Sequence, residues 1–213
     1  MSILKKINLT TVKGEDYKIK SLIETALKNG INPLEIVKKA LQPAMNEVGE
    51  KFSTGKFYIP DLLLASKTMH EAMIVLKPHL VGDKSLVEKG VVVLGTIKGD
   101  LHDIGKNLVA TMLEGSGYKV VDLGVDVDYE KFVEAIKKYN PKVVGFSGLL
   151  TTTLANIPNQ LKAIENAGLR GKVILAVGGA PVTKAFADRY GIELYADDAY
   201  QAAKVIDKVI GYK

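Results

Sequence analysis

The sequence of 213 residues contains no cysteine, no tryptophan and only three histidines. The absence of cysteine excludes a disulfide scaffold, a thiolate zinc site, a thiolate-bound iron–sulfur cluster and a thiol nucleophile. Three scattered histidines also argue against a metal site built entirely from protein side chains. Any metal in this protein must therefore bring most of its own ligands.

Arginine is almost as scarce, since only Arg170 and Arg189 occur among the 29 basic residues. The net charge is +5 at pH 7, but it comes from lysines that are spread along the chain. Proteins that read bases or phosphates usually use arginine, and they cluster their basic residues. We therefore expect no nucleic-acid partner and interpret the charge as a solvated, lysine-rich surface.

Long apolar runs are missing as well. The longest, such as Val91–Leu94 and Val173–Val177, have the length of strands, whereas a membrane helix needs roughly 20 apolar residues. The first residues lack the apolar segment of a signal peptide. We expect a cytoplasmic protein with no membrane partner. Its content of 47% hydrophobic and 25% charged residues is typical of a folded globular chain.

The first part of the chain has a helical pattern, from about residue 15 to residue 80. Proline and glycine signals separate four helices, and Pro43 is expected to break or kink the chain between two of them. A polar, turn-rich stretch at 81–90 is the expected linker. The predicted domains are therefore a helical bundle at residues 1–85 and a second domain at residues 86–213.

From residue 90 onward, apolar strand-like runs alternate with helical segments. This alternation predicts an α/β fold, a flavodoxin-like (Rossmann-like) five-stranded parallel sheet. Ligands of such sheets bind beyond the carboxyl ends of the strands, so the loops at 98–105, 147–153 and 178–183 are the expected site. The strands are expected at 90–97, 119–123, 142–147, 172–177 and 193–196, and the helices at about 104–116, 128–139, 153–167, 181–190 and 198–210.

The three loops carry different residue types. The first has a histidine with a carboxylate two residues before it and a glycine three residues after it (100–105). The second reads Ser-Gly-Leu-Leu-Thr-Thr-Thr (147–153), and the third reads Gly-Gly-Ala-Pro (178–181). Each alone is compatible with a helix cap or a tight turn. Their occurrence at one edge of one sheet is more specific, and the spacing of a phosphate loop is absent.

Asp-x-His-x-x-Gly at 100–105, Ser-x-Leu at 147–149 and Gly-Gly at 178–179 together resemble the signature of cobalamin-binding domains. The resemblance is to the corrinoid methyl-carrier proteins of methyltransferase systems and to the cobalamin-binding module of methionine synthase. Residues 51–60 also resemble the helical cap segment of these proteins. The resemblance therefore extends over nearly the whole chain.

The resemblance implies a base-off/His-on arrangement, in which His102 binds cobalt from below in place of the benzimidazole of the cofactor. A corrin ring supplies all the equatorial nitrogens, so one histidine is sufficient. Asp100 would accept the other imidazole N–H and fix the tautomer. Ser147 would extend this chain of hydrogen bonds behind the histidine, the relay, toward solvent.

The resemblance also implies a set of residues around the cofactor. Small residues, Gly148 among them, would line a narrow slot for the displaced nucleotide tail. Phe52 and Ile59 fall at the cap positions and are expected to shield the upper face of cobalt, although ordinary core positions in the bundle would explain them too. The remaining expected contacts are Asp103, Ile104, Gly105, Leu149, Thr151, Gly178, Gly179, Tyr195 and Ala196.

The function implied by the resemblance is that of a carrier whose cofactor is cobalamin. Its partners would be a substrate-specific methyltransferase, an acceptor methyltransferase that uses tetrahydrofolate or a thiol, and a reductive activase. The carrier would hold no substrate site of its own, and the linker at 81–90 would act as a hinge.

Other functions remain as alternatives. One is the small cobalamin-binding subunit of a mutase, which typically lacks the helical cap. Another is a flavodoxin-like module without a corrinoid, against which His102 and Asp100 argue. A cobalamin-dependent regulator would need a helix-turn-helix ahead of the bundle, and only about 14 residues precede the first predicted helix.

Overall fold

The computed structural model describes residues 1–80 and 89–210. The chain divides into two compact units. One comprises Met1–Lys89 and Glu114–Gly117, and the other comprises Gly90–Leu113 and Tyr118–Lys213. Most of the expected linker at 81–90, and the expected boundary between residues 85 and 86, lie outside the described residues. The hinge therefore stays a prediction.

The first unit is helical. In its second helix, Ile19, Ile23 and Ala26 recur at helical spacing and are fully buried, so one apolar face forms the core while the other faces solvent. The helices are α1 (Ile3–Val12), α2 (Asp16–Lys28), α3 (Pro33–Ile36), α4 (Gln42–Ser53) and α5 (Ile59–Leu76), with a short 3₁₀ turn at Lys77–His79.

Helix α1 was not expected from the sequence, and the expectation that the chain before residue 15 lacks a helix is wrong. The Ser2 side chain accepts a hydrogen bond from the Lys5 N–H at 3.3 Å and caps the helix. Ile7, Thr11 and Val12 are buried. The threonine interrupts the apolar pattern in the sequence, but its hydroxyl donates to the Ile7 carbonyl at 2.9 Å, so it can be buried without an unpaired donor.

The effect of Pro43 is milder than a break. Residues Val37–Leu41 form a π-helical segment that joins α3 to α4. Proline has no N–H to donate to the carbonyl four residues earlier, and its ring clashes with that carbonyl in an α-helix. The wider π turn accommodates this, so the helical run continues from Pro33 to Ser53.

The second unit has a five-stranded parallel sheet with strand order β2-β1-β3-β4-β5. This confirms the predicted flavodoxin-like fold. The first and third strands are buried almost throughout, as expected for strands covered on both faces. The strands are β1 (Val91–Thr96), β2 (Lys119–Asp122), β3 (Val143–Ser147), β4 (Ile174–Gly178) and β5 (Leu194–Tyr195).

Helices connect these strands, and one predicted helix is divided in two. The segment expected at 153–167 forms α8 and α9, because Pro158 occupies the first turn of α9, where proline is favoured. The helix expected at 181–190 begins only after Thr183, whose hydroxyl caps the Phe186 N–H at 3.1 Å. The helices of this unit are α6 (Ile104–Gly115), α7 (Tyr129–Tyr139), α8 (Thr151–Leu154), α9 (Ile157–Asn166), α10 (Lys184–Arg189) and α11 (Ala199–Ile210).

The strand order determines where a ligand can bind. Strand β1 lies between β2 and β3, so the chain leaves β1 toward one side of the sheet and later returns to the other. Such a reversal opens a crevice at the carboxyl ends of the strands. The loop after β1 and the loop after β3 meet at this crevice.

Candidate functional site

The carboxylate of Asp100 is the centre of the hydrogen bonding at this crevice, and its residue is fully buried. Its Oδ1 accepts from the His102 backbone N–H at 3.0 Å and lies 2.8 Å from the His102 ring Nδ1. Its Oδ2 accepts from the Leu149 N–H at 2.7 Å, the Leu150 N–H at 3.3 Å and the Thr153 hydroxyl at 2.9 Å. One carboxylate thus joins the loop after β1 to the loop after β3.

These hydrogen bonds determine the charge of Asp100. Burial by itself raises the pKa of a carboxyl group, because it penalises the charged form. The N–H groups of His102 and Leu149, the His102 ring and the Thr153 hydroxyl outweigh this effect and hold the pKa of Asp100 far below its usual range. Asp100 is therefore a carboxylate at any physiological pH, and the proton between it and the imidazole belongs to His102 Nδ1.

The His102 ring is held at one nitrogen and open at the other. Its backbone carbonyl accepts from the buried Thr96 hydroxyl at 2.9 Å, and Asp100 engages Nδ1. The side chain remains 52% exposed. Among the described residues, Nε2 has no hydrogen-bond partner, so it is the nitrogen available to an external metal.

The loops after β3 and β4 approach each other through glycine backbones. Gly179 has φ +134°, and a Cβ there would lie 1.9 Å from the Gly148 carbonyl oxygen. A Cβ on Gly148 would lie 2.8 Å from side-chain atoms of Ile97 and Leu154. At Gly178, by contrast, the nearest atom would be the Ala196 oxygen at 3.9 Å. Gly148 and Gly179 therefore permit the close packing of the loops, whereas Gly178 keeps space open.

That space belongs to a cavity of about 710 Å³ in the second unit. Strand residues Leu94, Gly145 and Ala176 lie at its base, and the wall from α11 includes Ala202 and Ile206. Polar side chains occur where the strands end. Of the residues expected to contact a cofactor, the cavity is lined by His102, Asp103, Ile104, Gly105, Ser147, Leu149, Gly178, Gly179, Tyr195 and Ala196.

The other expected site residues lie elsewhere. Asp100 is buried behind His102, and Thr151 is exposed at the start of α8. Phe52 is half-buried near the end of α4, and Ile59 begins α5 with 41% of its surface exposed. The roles of Phe52 and Ile59 as a shield stay a prediction.

The relay behind the histidine differs from the expected one. The Ser147 side chain makes no hydrogen bond to Asp100 among the described residues; it lines the cavity instead. Thr153 takes that place, because the first turn of α8 returns its hydroxyl toward Asp100. The threonine run at 151–153 was visible in the sequence, but it did not show which hydroxyl faces inward.

Sequence reasoning also missed polar residues that hold the loop after β1. Asn156 Nδ2 donates to the Lys98 carbonyl at 2.9 Å, and Asp126 Oδ1 accepts from the Gly99 N–H at 2.7 Å. Lys106 is 4% exposed, and its ammonium pairs with Asp122. These residues come from separate parts of the chain, so only the fold brings them together.

The site is suited to a metal that carries its own ligands. The described residues contain no group of three or more histidine, cysteine, aspartate or glutamate side chains that could hold a metal ion. One open imidazole nitrogen, next to a cavity kept open at Gly178, fits a macrocyclic metal cofactor with a bulky tail. Over the same residues, no helix has the length and apolarity to cross a membrane.

Comparison with known protein families matches each of the two units to a B12-binding family. Residues 90–204 match a B12 binding domain family, and residues 3–77 match a second B12 binding domain family. The first match includes every loop of the crevice. These matches exclude the alternative of a flavodoxin-like module without a corrinoid.

Similar proteins cover almost the whole chain. Trimethylamine corrinoid protein 1 of Methanosarcina acetivorans is 42% identical over 188 residues, which are 88% of this chain and 87% of the relative. The dimethylamine corrinoid protein of Methanosarcina barkeri is 41% identical over 182 residues, or 85% of each chain.

Solved structures agree with these relatives. A cobalamin-binding protein from Desulfitobacterium hafniense has a TM-score of 0.80 and 32% identity and covers 98% of both chains. The methanol:cobalamin methyltransferase complex of Methanosarcina barkeri matches with a TM-score of 0.84 and 28% identity over 99% of this chain and 80% of that one. The protein therefore belongs to the B12-binding corrinoid proteins, and its cofactor is a corrinoid.

Proposed function

We propose that this protein binds cobalamin base-off, with His102 as the axial ligand of cobalt, and carries a methyl group between two methyltransferases. The observation that carries the proposal is the geometry of His102, whose Nδ1 is engaged by a buried carboxylate while Nε2 is free of partners among the described residues. When bound, cobalamin supplies a cobalt centre that can accept and release a methyl group.

The cavity supports the base-off part of the proposal. If His102 takes the axial position, the nucleotide tail of the cofactor must lie elsewhere in the protein. The cavity of about 710 Å³ starts beside His102 and extends between the sheet and α11. This volume lies within the range of small-molecule and cofactor sites. Gly178 keeps it open, since a Cβ there would meet no protein atom closer than 3.9 Å.

Exposed apolar side chains around the histidine support a flat ligand at this edge. Leu101 is 71% exposed and Ile104 is 68% exposed, and Leu149 and Leu150 are 41% and 43% exposed. A contiguous group of exposed large apolar side chains is uncommon unless a ligand or a partner covers it. The face of a corrin ring bound over His102 would cover such a group.

The residues behind His102 would control its proton. Because the pKa of Asp100 is held very low, Asp100 remains a carboxylate, and Nδ1 keeps its proton while Nε2 acts as a ligand. The Thr153 hydroxyl lies 2.9 Å from both Asp100 Oδ2 and the Leu150 carbonyl, so it can donate its one proton to either.

The relatives indicate the class of partner. The two corrinoid proteins named for trimethylamine and dimethylamine are 42% and 41% identical to this chain. We therefore assign a methylamine methyltransferase as the partner that supplies the methyl group. An acceptor methyltransferase that uses a thiol or tetrahydrofolate, and a reductive activase, complete the proposed system.

Isotope labelling tests the axial ligand. The unpaired electron of cob(II)alamin couples to an axial nitrogen, so the electron paramagnetic resonance lines are split into triplets by ¹⁴N and into doublets by ¹⁵N. In protein grown with ¹⁵N-histidine and loaded with unlabelled cobalamin, we expect doublets. In His102→Ala we expect no histidine splitting, whereas His70→Ala, which changes an exposed histidine on α5, should keep it. Triplets in the labelled protein would show that the benzimidazole remains bound and would refute the proposal.

A further inference from the structure

One residue of the turn after β2 holds the backbone of the loop that carries His102. The Asp126 N–H donates to the Asp100 carbonyl at 2.9 Å, and Asp126 Oδ1 accepts from the Gly99 N–H at 2.7 Å. Asp126 therefore holds the loop at Gly99 and at Asp100, three and two residues before the histidine. We refer to this pair of hydrogen bonds as the Asp126 clamp.

The conformation of Asp126 is unusual. Its φ is +47°, and among the described residues Asn140 is the only other non-glycine residue with a positive φ. This region is unfavourable for side chains with a Cβ, although aspartate and asparagine tolerate it better than most. Such a conformation persists only where the surrounding structure enforces it, and it occurs preferentially at functional sites.

The loop needs such a constraint. Gly99 has φ +83°, and glycine leaves the chain free to adopt many other conformations at that point. Asn156 Nδ2 donates to the Lys98 carbonyl at 2.9 Å, and the Asp100 N–H donates to the Ile97 carbonyl at 3.1 Å. The Gly99 N–H and the Asp100 carbonyl are paired instead with Asp126.

We propose that Asp126 is a positioning residue for the axial ligand. By fixing the backbone at Gly99 and Asp100 it fixes the carboxylate that orients the His102 ring, and so it directs Nε2. The inference rests on the proposed function, since it takes His102 as the ligand of cobalt. Neither the sequence motif nor the family resemblance includes Asp126.

Three substitutions separate the side-chain acceptor of Asp126 from its positive φ, and each keeps the backbone N–H that donates to the Asp100 carbonyl. Asp126→Asn keeps a side-chain oxygen acceptor and tolerates the positive φ. Asp126→Gly adopts the positive φ easily but lacks the acceptor, and Asp126→Ala is unfavourable in both respects. Asn140→Ala is the matched control, because it places alanine at φ +45° in the left-handed cap of α7, where the residue 140 N–H donates to the Ile136 carbonyl and not to the histidine loop.

Three measurements are made on each variant. Cofactor-free protein is examined by hydrogen–deuterium exchange over residues 97–103, and cobalamin-loaded protein by binding affinity and by the histidine doublets described above. In Asp126→Gly and Asp126→Ala we expect faster exchange in this segment, weaker doublets and about tenfold lower affinity, as for the loss of a hydrogen bond to a charged group. Asp126→Asn should restore all three, and Asn140→Ala should lower thermal stability without changing them.

The proposal is overturned if Asp126→Gly keeps the exchange, the affinity and the doublets of the wild type. It is also overturned if Asp126→Asn is as impaired as Asp126→Ala, because the charge rather than the acceptor would then matter. A wild-type protein without histidine doublets would refute the proposed function alone. Hydrogen exchange in the cofactor-free variants would still decide whether Asp126 holds the loop.

Discussion

The loop after β1 and the loops after β3 and β4 end at the same edge of one sheet, yet they are held in different ways. The first is held by side chains, chiefly the carboxylates of Asp100 and Asp126. Asp100 also holds the loop after β3, through the N–H groups of Leu149 and Leu150. The contact between the loops after β3 and β4 depends instead on the absence of a side chain at Gly179, where a Cβ would lie 1.9 Å from the Gly148 carbonyl oxygen. The contact made by the first loop thus depends on hydrogen bonds, which are directional, and the contact between the other two loops depends on space.

The largest predicted effect concerns the close contact between the loops after β3 and β4, which depends on space. In Gly179→Ala, the new Cβ would overlap the Gly148 oxygen, 1.9 Å away, at a φ of +134°, so we expect a loss of about 3 kcal/mol or more in the free energy of unfolding. Urea denaturation measures this loss. Gly178→Ala is the matched control, because its Cβ enters open space.

Gly178→Ala should fold with stability close to the wild type but bind cobalamin more weakly, since its methyl group enters the cavity. The two variants therefore distinguish a glycine that allows two backbones to pack closely, Gly179, from a glycine that leaves space for a ligand, Gly178. Equal stability of the two variants would show that the loops after β3 and β4 adapt to a Cβ, and the comparison would fail.

The second prediction tests the loop that depends on hydrogen bonds. In Asp100→Asn, an amide N–H₂ replaces one oxygen among groups that are all donors, so we expect a loss of about 2 kcal/mol at neutral pH. The folded-state pKa of Asp100 is lowered, so its contribution to stability is fully present above the unfolded pKa of about 3.9. It is lost as the pH falls below that value.

The difference in unfolding free energy between wild type and Asp100→Asn should therefore be constant above about pH 5 and shrink progressively below about pH 4. Urea titrations at several pH values measure it. A difference that instead grew toward low pH would contradict the lowered pKa of Asp100. Gly178→Ala, which changes no ionisable group, provides the reference for acid effects elsewhere in the protein.

The smallest predicted effect concerns the relay. Thr153→Val removes one hydrogen bond to Asp100 from a buried position, for an expected loss of about 1 kcal/mol in unfolding free energy. Thr153→Ser should restore most of it. Ser147→Ala should leave stability nearly unchanged, because the Ser147 hydroxyl has no hydrogen-bond partner among the described residues. If Ser147→Ala lowered the unfolding free energy more than Thr153→Val, Ser147 and not Thr153 would be the hydroxyl that is hydrogen-bonded to Asp100.

The sequence predicted the architecture well, because the physical signals for it are local. The apolar run of β1 and the switch from helical to alternating periodicity both act over a few neighbouring residues. Helix α1 was missed because Thr11 occupies a core position and hides the apolar spacing. The division between α8 and α9 was missed although Pro158, at the start of α9, signals it.

The sequence predicted those parts of the site that belong to a single short motif. Asp100 and His102 are two residues apart, so the sequence itself places them together. Thr153 lies 53 residues from Asp100, and Asp126 lies 27 residues from Gly99. Such contacts depend on the strand order and on where each turn ends, and neither leaves a signal in a single sequence.

The cavity beside His102 also sets an order of events during synthesis of the protein. One of its walls includes Val109, from the first helix of the second unit, and another includes Ala202 and Ile206, from the last. The ribosome makes these walls about a hundred residues apart, so a nascent chain that displays the histidine loop does not yet have a pocket. Binding of cobalamin in this cavity then requires that α11 has been made and has folded, and a chain cut short before α11 would lack this wall.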